Sequence, residues 1–311
     1  MRLLLAILMV ASSVYGQVRR PASTCSDYQQ LQCDMLEAMD GLRKGTNVGN
    51  FKNIVELLQP VKDSGGWFWN NYGKMERMPV GPMPETPWIY QNMDFQCVKW
   101  HEIFFNNVAQ KSMVHSHCHE CFKVVIAPRT VEELIALENW QKTLDVPCKC
   151  GIELRDFVSR LYGGYFYNRG VSDGKQAYGF VKRWAEEMHG MQNEVFEVHH
   201  DEPMPVILKL GCTEFERALG PSVNYKVTED QLKLEADLDN VIEFDPFKIP
   251  EGFDHFPQPE VLKQYVRTIW LKWAHHHGDK TYIKFMPDGK PFDYAPEYFT
   301  PPPATYHGEE G

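Results

Sequence analysis

The chain has 311 residues, 43% of them hydrophobic and 24% charged, with 32 Lys and Arg against 42 Asp and Glu and a formal charge of −10. With 13% aromatic residues it carries enough apolar surface to offset chain entropy, which excludes an intrinsically disordered chain. The acidic balance disfavours non-specific binding to a phosphate backbone, and no basic patch set apart in the sequence counters it.

Met1 and Arg2 precede the apolar run Leu3 to Ala11, and compact residues follow up to Gly16. Residues 1–16 therefore read as a secretory signal, which places the mature chain outside the cytoplasm, secreted or periplasmic. The run is too short to span a bilayer, and no later stretch reaches 18 apolar residues, so no membrane span is expected.

Residues 17–110 read as a helical and then aromatic, Pro-rich region. It holds Cys25 and Cys33, a loop packed by its own aromatics over 61–93, and a helix from Asp94 to about Asn107 that carries Cys97 and His101.

Residues 111–220 alternate between strand and helix. Strands are predicted at Phe122 to Ala127, Cys150 to Leu154, Gly164 to Tyr167 and Pro205 to Leu210. Thr130 and Glu133 form a capping box for one intervening helix, and Ser172 opens the other, which ends at Gly190. The order βαββαβ is that of a ferredoxin-like split βαβ core, an α+β fold with helical N-terminal and C-terminal extensions.

Residues 221–311 hold two further helices, Thr228 to Phe244 and Pro259 to Ala274, then a hairpin over Tyr282 to Tyr294 and an extended proline tail. His275 to His277 in the last turn of the second helix point too far apart to share an ion and read as a solvated helix end.

The strand order turns eight scattered cysteines into a hypothesis. In a split βαβ core the first and second strands begin at the same end of the sheet and the fourth finishes there. Cys118, Cys121, Cys148, Cys150 and Cys212 would then share one rim, bordered by His115, His117, His119 and Glu214.

A four-coordinate Zn²⁺ needs such a gathering. The CxxC of Cys118 and Cys121 with the CxC of Cys148 and Cys150 forms the candidate ligand set, with His115, His117 and His119 as alternates. An iron–sulfur cluster is the alternative cofactor. Two disulfides would use the same convergence, and in an exported protein that reading stays open. The functions that follow are a structural or binding metalloprotein, a disulfide-braced interaction protein with a protein partner or a second copy of itself, or a thiol-dependent enzyme.

For the enzyme, Cys212 is the candidate nucleophile, placed before a short helix capped by Thr213 and Glu216, with His199 or His200 as base. Gly163 to Tyr167 resembles the aromatic platform of an RNA-recognition module, a reading that the net charge and the signal segment oppose. Walker, GxGxxG, GxSxG and HExxH signatures are absent, and whether the protein is an enzyme stays open.

Overall fold

A computed structural model describes residues 48–63, 67–70, 72–77, 86–93, 96–191, 200–243, 258–297, 299 and 301. Residues 1–16, read above as a signal, lie outside the described residues with Cys25, Cys33 and His199, as do Phe244 and the last two prolines of the tail. The chain is a mixed α and β protein with two sheets.

Helix α1 (Val48–Asp63) is followed by β1 (Trp67–Trp69), β2 (Met75–Arg77) and β3 (Trp88–Gln91). These three short strands correct the expectation of an irregular loop over 61–93. Trp67, Met75, Trp88 and Tyr90 gain more by burial on sheets than in a self-packed loop.

The turn α2 (Gln96–Lys99) continues as a π-helix, Trp100–Val108. Then come β4 (Cys121–Ile126), α3 (Val131–Gln141), β5 (Cys148–Ile152), β6 (Tyr162–Arg169), α4 (Gly170–Gly190), β7 (Val206–Leu210) and α5 (Thr213–Leu219). The remainder is α6 (Glu229–Val241), the two-residue strand β8 (Ile242–Glu243) and α7 (Glu260–His276).

Five strands form one sheet in the order β3-β5-β6-β4-β7, with every neighbouring pair antiparallel. Helix α3 joins β4 to β5 and α4 joins β6 to β7, so β4 and β5 run the same way with β6 between them. The second sheet has the order β1-β2-β8.

Strand alternation divides the side chains of the large sheet into two sets. Val124, Ile126, Cys148, Cys150, Ile152 and Phe166 pack beneath Leu134 and Leu137 of α3, Val181 and Ala185 of α4, and Trp270 of α7. Gly164 lets α3 approach closely, since a Cβ there would lie 2.4 Å from a Leu137 methyl carbon. The opposite face carries Trp88, Tyr90, Val125, Tyr165 and Tyr167, with Lys123 and Lys149 buried among them.

Helix ends match their sequence signals in part. Thr130 caps α3 by accepting from Glu133 N, but the Glu133 carboxylate takes the Arg129 N–H and guanidinium instead of closing the box. Thr228 caps α6 through Gln231 N as expected. Cys212 itself, rather than Thr213, is the N-cap residue of α5, and Glu216 binds Lys209 and Ser222.

The predicted hairpin over Tyr282 to Tyr294 is two 3-10 turns, Lys280–Phe285 and Pro287–Gly289. Tyr282, Phe292 and Tyr294 pack around His275 of α7, so docking their rings on the helix wins over strand pairing.

Candidate functional site

One end of the large sheet gathers the N-terminus of β4, the C-terminus of β6 and the C-terminus of β7. Cys121 stands opposite Arg169, and Phe122 opposite Leu210. A cavity of about 120 Å³ opens there. Its lining includes Cys97 from α2, Trp100 and His101 from the start of the π-helix, His117 and Cys118 before β4, Cys121 at its first position, and Cys212 and Glu214 after β7.

Four cysteines from three separate parts of the chain thus border one space. Burial pushes the Cys118 thiol well up, and the neighbouring sulfurs of Cys212, Cys97 and Cys121 push it further the same way.

Each segment is delivered by a local device. The π-helix is uncommon beyond a single turn and is frequently found at functional sites. Here nine residues of it bury Trp100, His101, Ile103, Phe104 and Phe105 against the cavity floor and its neighbours. Burial holds His101 down to about 4, outweighing the pull of Glu214, so its imidazole is neutral at pH 7.

His115 accepts from His117 N at 3.2 Å, capping the 3-10 turn Ser116–Glu120 that carries Cys118. Its ring stacks on Trp100 at 3.5 Å. Burial holds it down to about 3, despite Glu235 at 3.6 Å.

Gly211, at φ +71, turns the chain from β7 into Cys212. A Cβ there would meet Ser222 Oγ at 2.5 Å, so both conformation and space require glycine.

The buried Lys123 ammonium donates to Cys212 Sγ at 2.9 Å. Burial works to lower its pKa, but Cys212, Tyr167, Cys121 and Glu214 outweigh that and hold it well above the ordinary value.

The expected ligand set of Cys118, Cys121, Cys148 and Cys150 is not assembled. Cys148 and Cys150 pair with Phe166 and Gly164, on the face beneath the helices, whereas Cys121 falls on the opposite face across from Arg169. Both also lie two strands across from Cys121, roughly 10 Å, and three rungs (Cys148) and five rungs (Cys150) along, roughly 10 and 17 Å. Ligands of one Zn²⁺ must all lie within about 2.3 Å of it.

Both thiols are fully buried in the core, and burial alone pushes Cys148 up to about 12. Of the alternates, His117 borders the cavity, while His115 lies under Trp100 and His119 packs against Tyr225. Among the described residues, no three His, Cys, Asp or Glu are already arranged to hold an ion.

His200 precedes β7 and Cys212 follows it, so the strand's length of about 17 Å separates the suggested base from the thiol. Lys123 is the group that contacts the sulfur. The Tyr165 ring is covered, with Trp88 at 5.6 Å edge-on, so it offers no open stacking platform.

Sequence reasoning missed Cys97, His101 and Lys123. The spacing Cys97-x-x-x-His101 on one helix was the available signal. Nothing in the sequence marked Lys123, which reads as one polar residue in an apolar strand. The chain matches no protein-family model, no curated protein and no solved structure, so its function rests on this geometry.

Proposed function

We propose that this is an exported thiolate protein whose cysteine cavity holds a soft divalent ion, Zn²⁺ in the first instance, with a structural or binding role. The observation that carries the reading is the convergence of Cys97, Cys118, Cys121 and Cys212 on one cavity, beside neutral His101 and with His117 also on its lining. Export is supported by the pattern of residues 1–16. The core is proposed to be ferredoxin-like, on the βαββαβ order and the strand arrangement β5-β6-β4-β7.

The donor types fit zinc, which takes thiolate and neutral imidazole. As they stand, the side chains surround the cavity rather than a single point, so binding requires the thiols to turn inward. Zn²⁺ would supply the charge that deprotonates the Cys118 thiol, which burial otherwise keeps neutral. The Lys123 N–H would then offset part of the charge of a bound thiolate.

Elemental analysis of the purified full chain is expected to give close to one equivalent of metal. Cys118→Ser and Cys212→Ser should each lose it, and Cys148→Ala should keep it. Metal-free protein whose thiols react only after reduction would replace this reading with the disulfide-braced one.

The contact of Lys123 with Cys212 favours a second reading, a thiol nucleophile that uses an ammonium partner. In metal-free protein at pH 6, iodoacetamide is then expected to modify Cys212 and to leave Cys148 untouched until unfolding. Absence of label at Cys212 rejects the nucleophile.

A further inference from the structure

Lys123 lines a second cavity, of about 240 Å³. Lys123, Arg155, Arg160 and Lys209 line it, together with the hydroxyl-bearing Ser159, Tyr165 and Thr213. No carboxylate is among its described lining residues. We propose that this cavity is a binding site for a tetrahedral oxyanion of phosphate or sulfate type.

The charges are held in place from outside the cavity. Arg155 is fixed by Glu153 through Nε and Nη2, both at 2.6 Å, and by Glu214 through Nη1 at 2.6 Å. Lys209 pairs with Glu216. Arg160 donates to Tyr165 Oη at 2.8 Å, and its buried Nε has no hydrogen-bond partner. Lys123 has a thiol rather than a carboxylate at its head group.

Four cations therefore face three outlying carboxylates, with one guanidinium N–H unsatisfied, which leaves an excess of positive charge and a donor to spare. In a chain of net charge −10, a cavity of this sign is a local exception built by the fold.

The geometry selects the shape of the anion. A planar carboxylate is satisfied by one guanidinium fork. Here the cationic groups come from β4, from β7 and from the loop between β5 and β6, which suits an anion whose oxygens point out of a single plane. The site is independent of any ion in the cysteine cavity, although Lys123, which lines it, also donates to Cys212 of that cavity.

Calorimetric titration of the full chain at constant ionic strength, with and without chelator, tests this. Sodium phosphate is expected to bind with a stoichiometry near one and to raise the Tm saturably, whereas sodium chloride should do neither. Arg160→Gln and Lys209→Gln, both partly exposed positions, should each weaken binding roughly tenfold or more while keeping the far-UV spectrum. Titrating phenyl phosphate alongside separates the sources: tighter binding of the ester assigns the site to a phosphate head group, and equal or weaker binding to the free ion. Phosphate acting no better than chloride, or binding that survives both substitutions, overturns the proposal.

Discussion

Glu138→Gln is expected to lower stability by about 3–5 kcal/mol, the usual cost of removing one partner from a buried ion pair. Glu138 sits in α3 with no exposed surface and accepts from Arg267 of α7 at 2.9 and 2.7 Å through both carboxylate oxygens. Lys142 approaches one of those oxygens at 2.8 Å. Glutamine matches the shape but turns an NH₂ toward two cations and leaves their charge uncompensated. Because Arg267 also ties α7 across α3, the loss reaches the layer that covers Cys148 and Cys150. Glu260→Gln, on the exposed end of the same network, should cost no more than about 1 kcal/mol. Urea unfolding of the two variants compares them directly. Equal midpoints would show that the buried carboxylate does not anchor the helices.

The second large effect is expected at Glu153. Its carboxylate, 5% exposed, receives two bonds from the Arg155 guanidinium, one from the Arg155 backbone N–H and one from Tyr165 Oη at 2.5 Å. Glu153→Gln should cost about 3 kcal/mol and leave Arg155 held by Glu214 and Tyr165 Oη, loosening the wall of the second cavity. The acid dependence should change with it. Burial works to raise the Glu153 pKa, but the Arg155 hydrogen bond and charge, with Tyr165 and Arg160, outweigh it and hold it below the usual carboxylate range. The unfolded chain therefore takes up this proton first as pH falls. The stabilisation is complete above the unfolded carboxylate pKa and is lost as pH drops through the lower folded value. Thermal melts from pH 7 to pH 3 should show a steeper acid limb for the native chain than for Glu153→Gln. Parallel limbs would remove Glu153 from the account.

How far the sequence reached can be followed along β4. Its β-branched run and the closing Pro128 marked a strand, which the structure has within one residue, and the capping pair Thr130 and Glu133 marked the start of the helix after it, which begins at Val131. The same reasoning missed β1, β2 and β3. Three- and four-residue strands carry too little alternation to read, and they exist because remote partners supply their hydrogen bonds. At the site, Cys118, Cys121 and Cys212 were placed at one sheet end by strand order alone, and the registers bring Cys121 and the residue before Gly211 together there. Cys148 and Cys150 failed because strand order assigns an end, whereas the face depends on register. A shift by one residue moves every side chain to the other side of the sheet.

The sequence by itself determined that the chain is acidic, rich in aromatics and built of mixed α and β elements. These follow from composition and local periodicity, which any contiguous segment carries. Only the tertiary structure decided that Cys97 and His101 close the cysteine cavity, that Lys123 meets Cys212, and that Cys148 and Cys150 belong to the core. Those outcomes turn on which face each residue presents and on which distant segment covers it, and both are fixed by pairings across the sheet that no local pattern encodes.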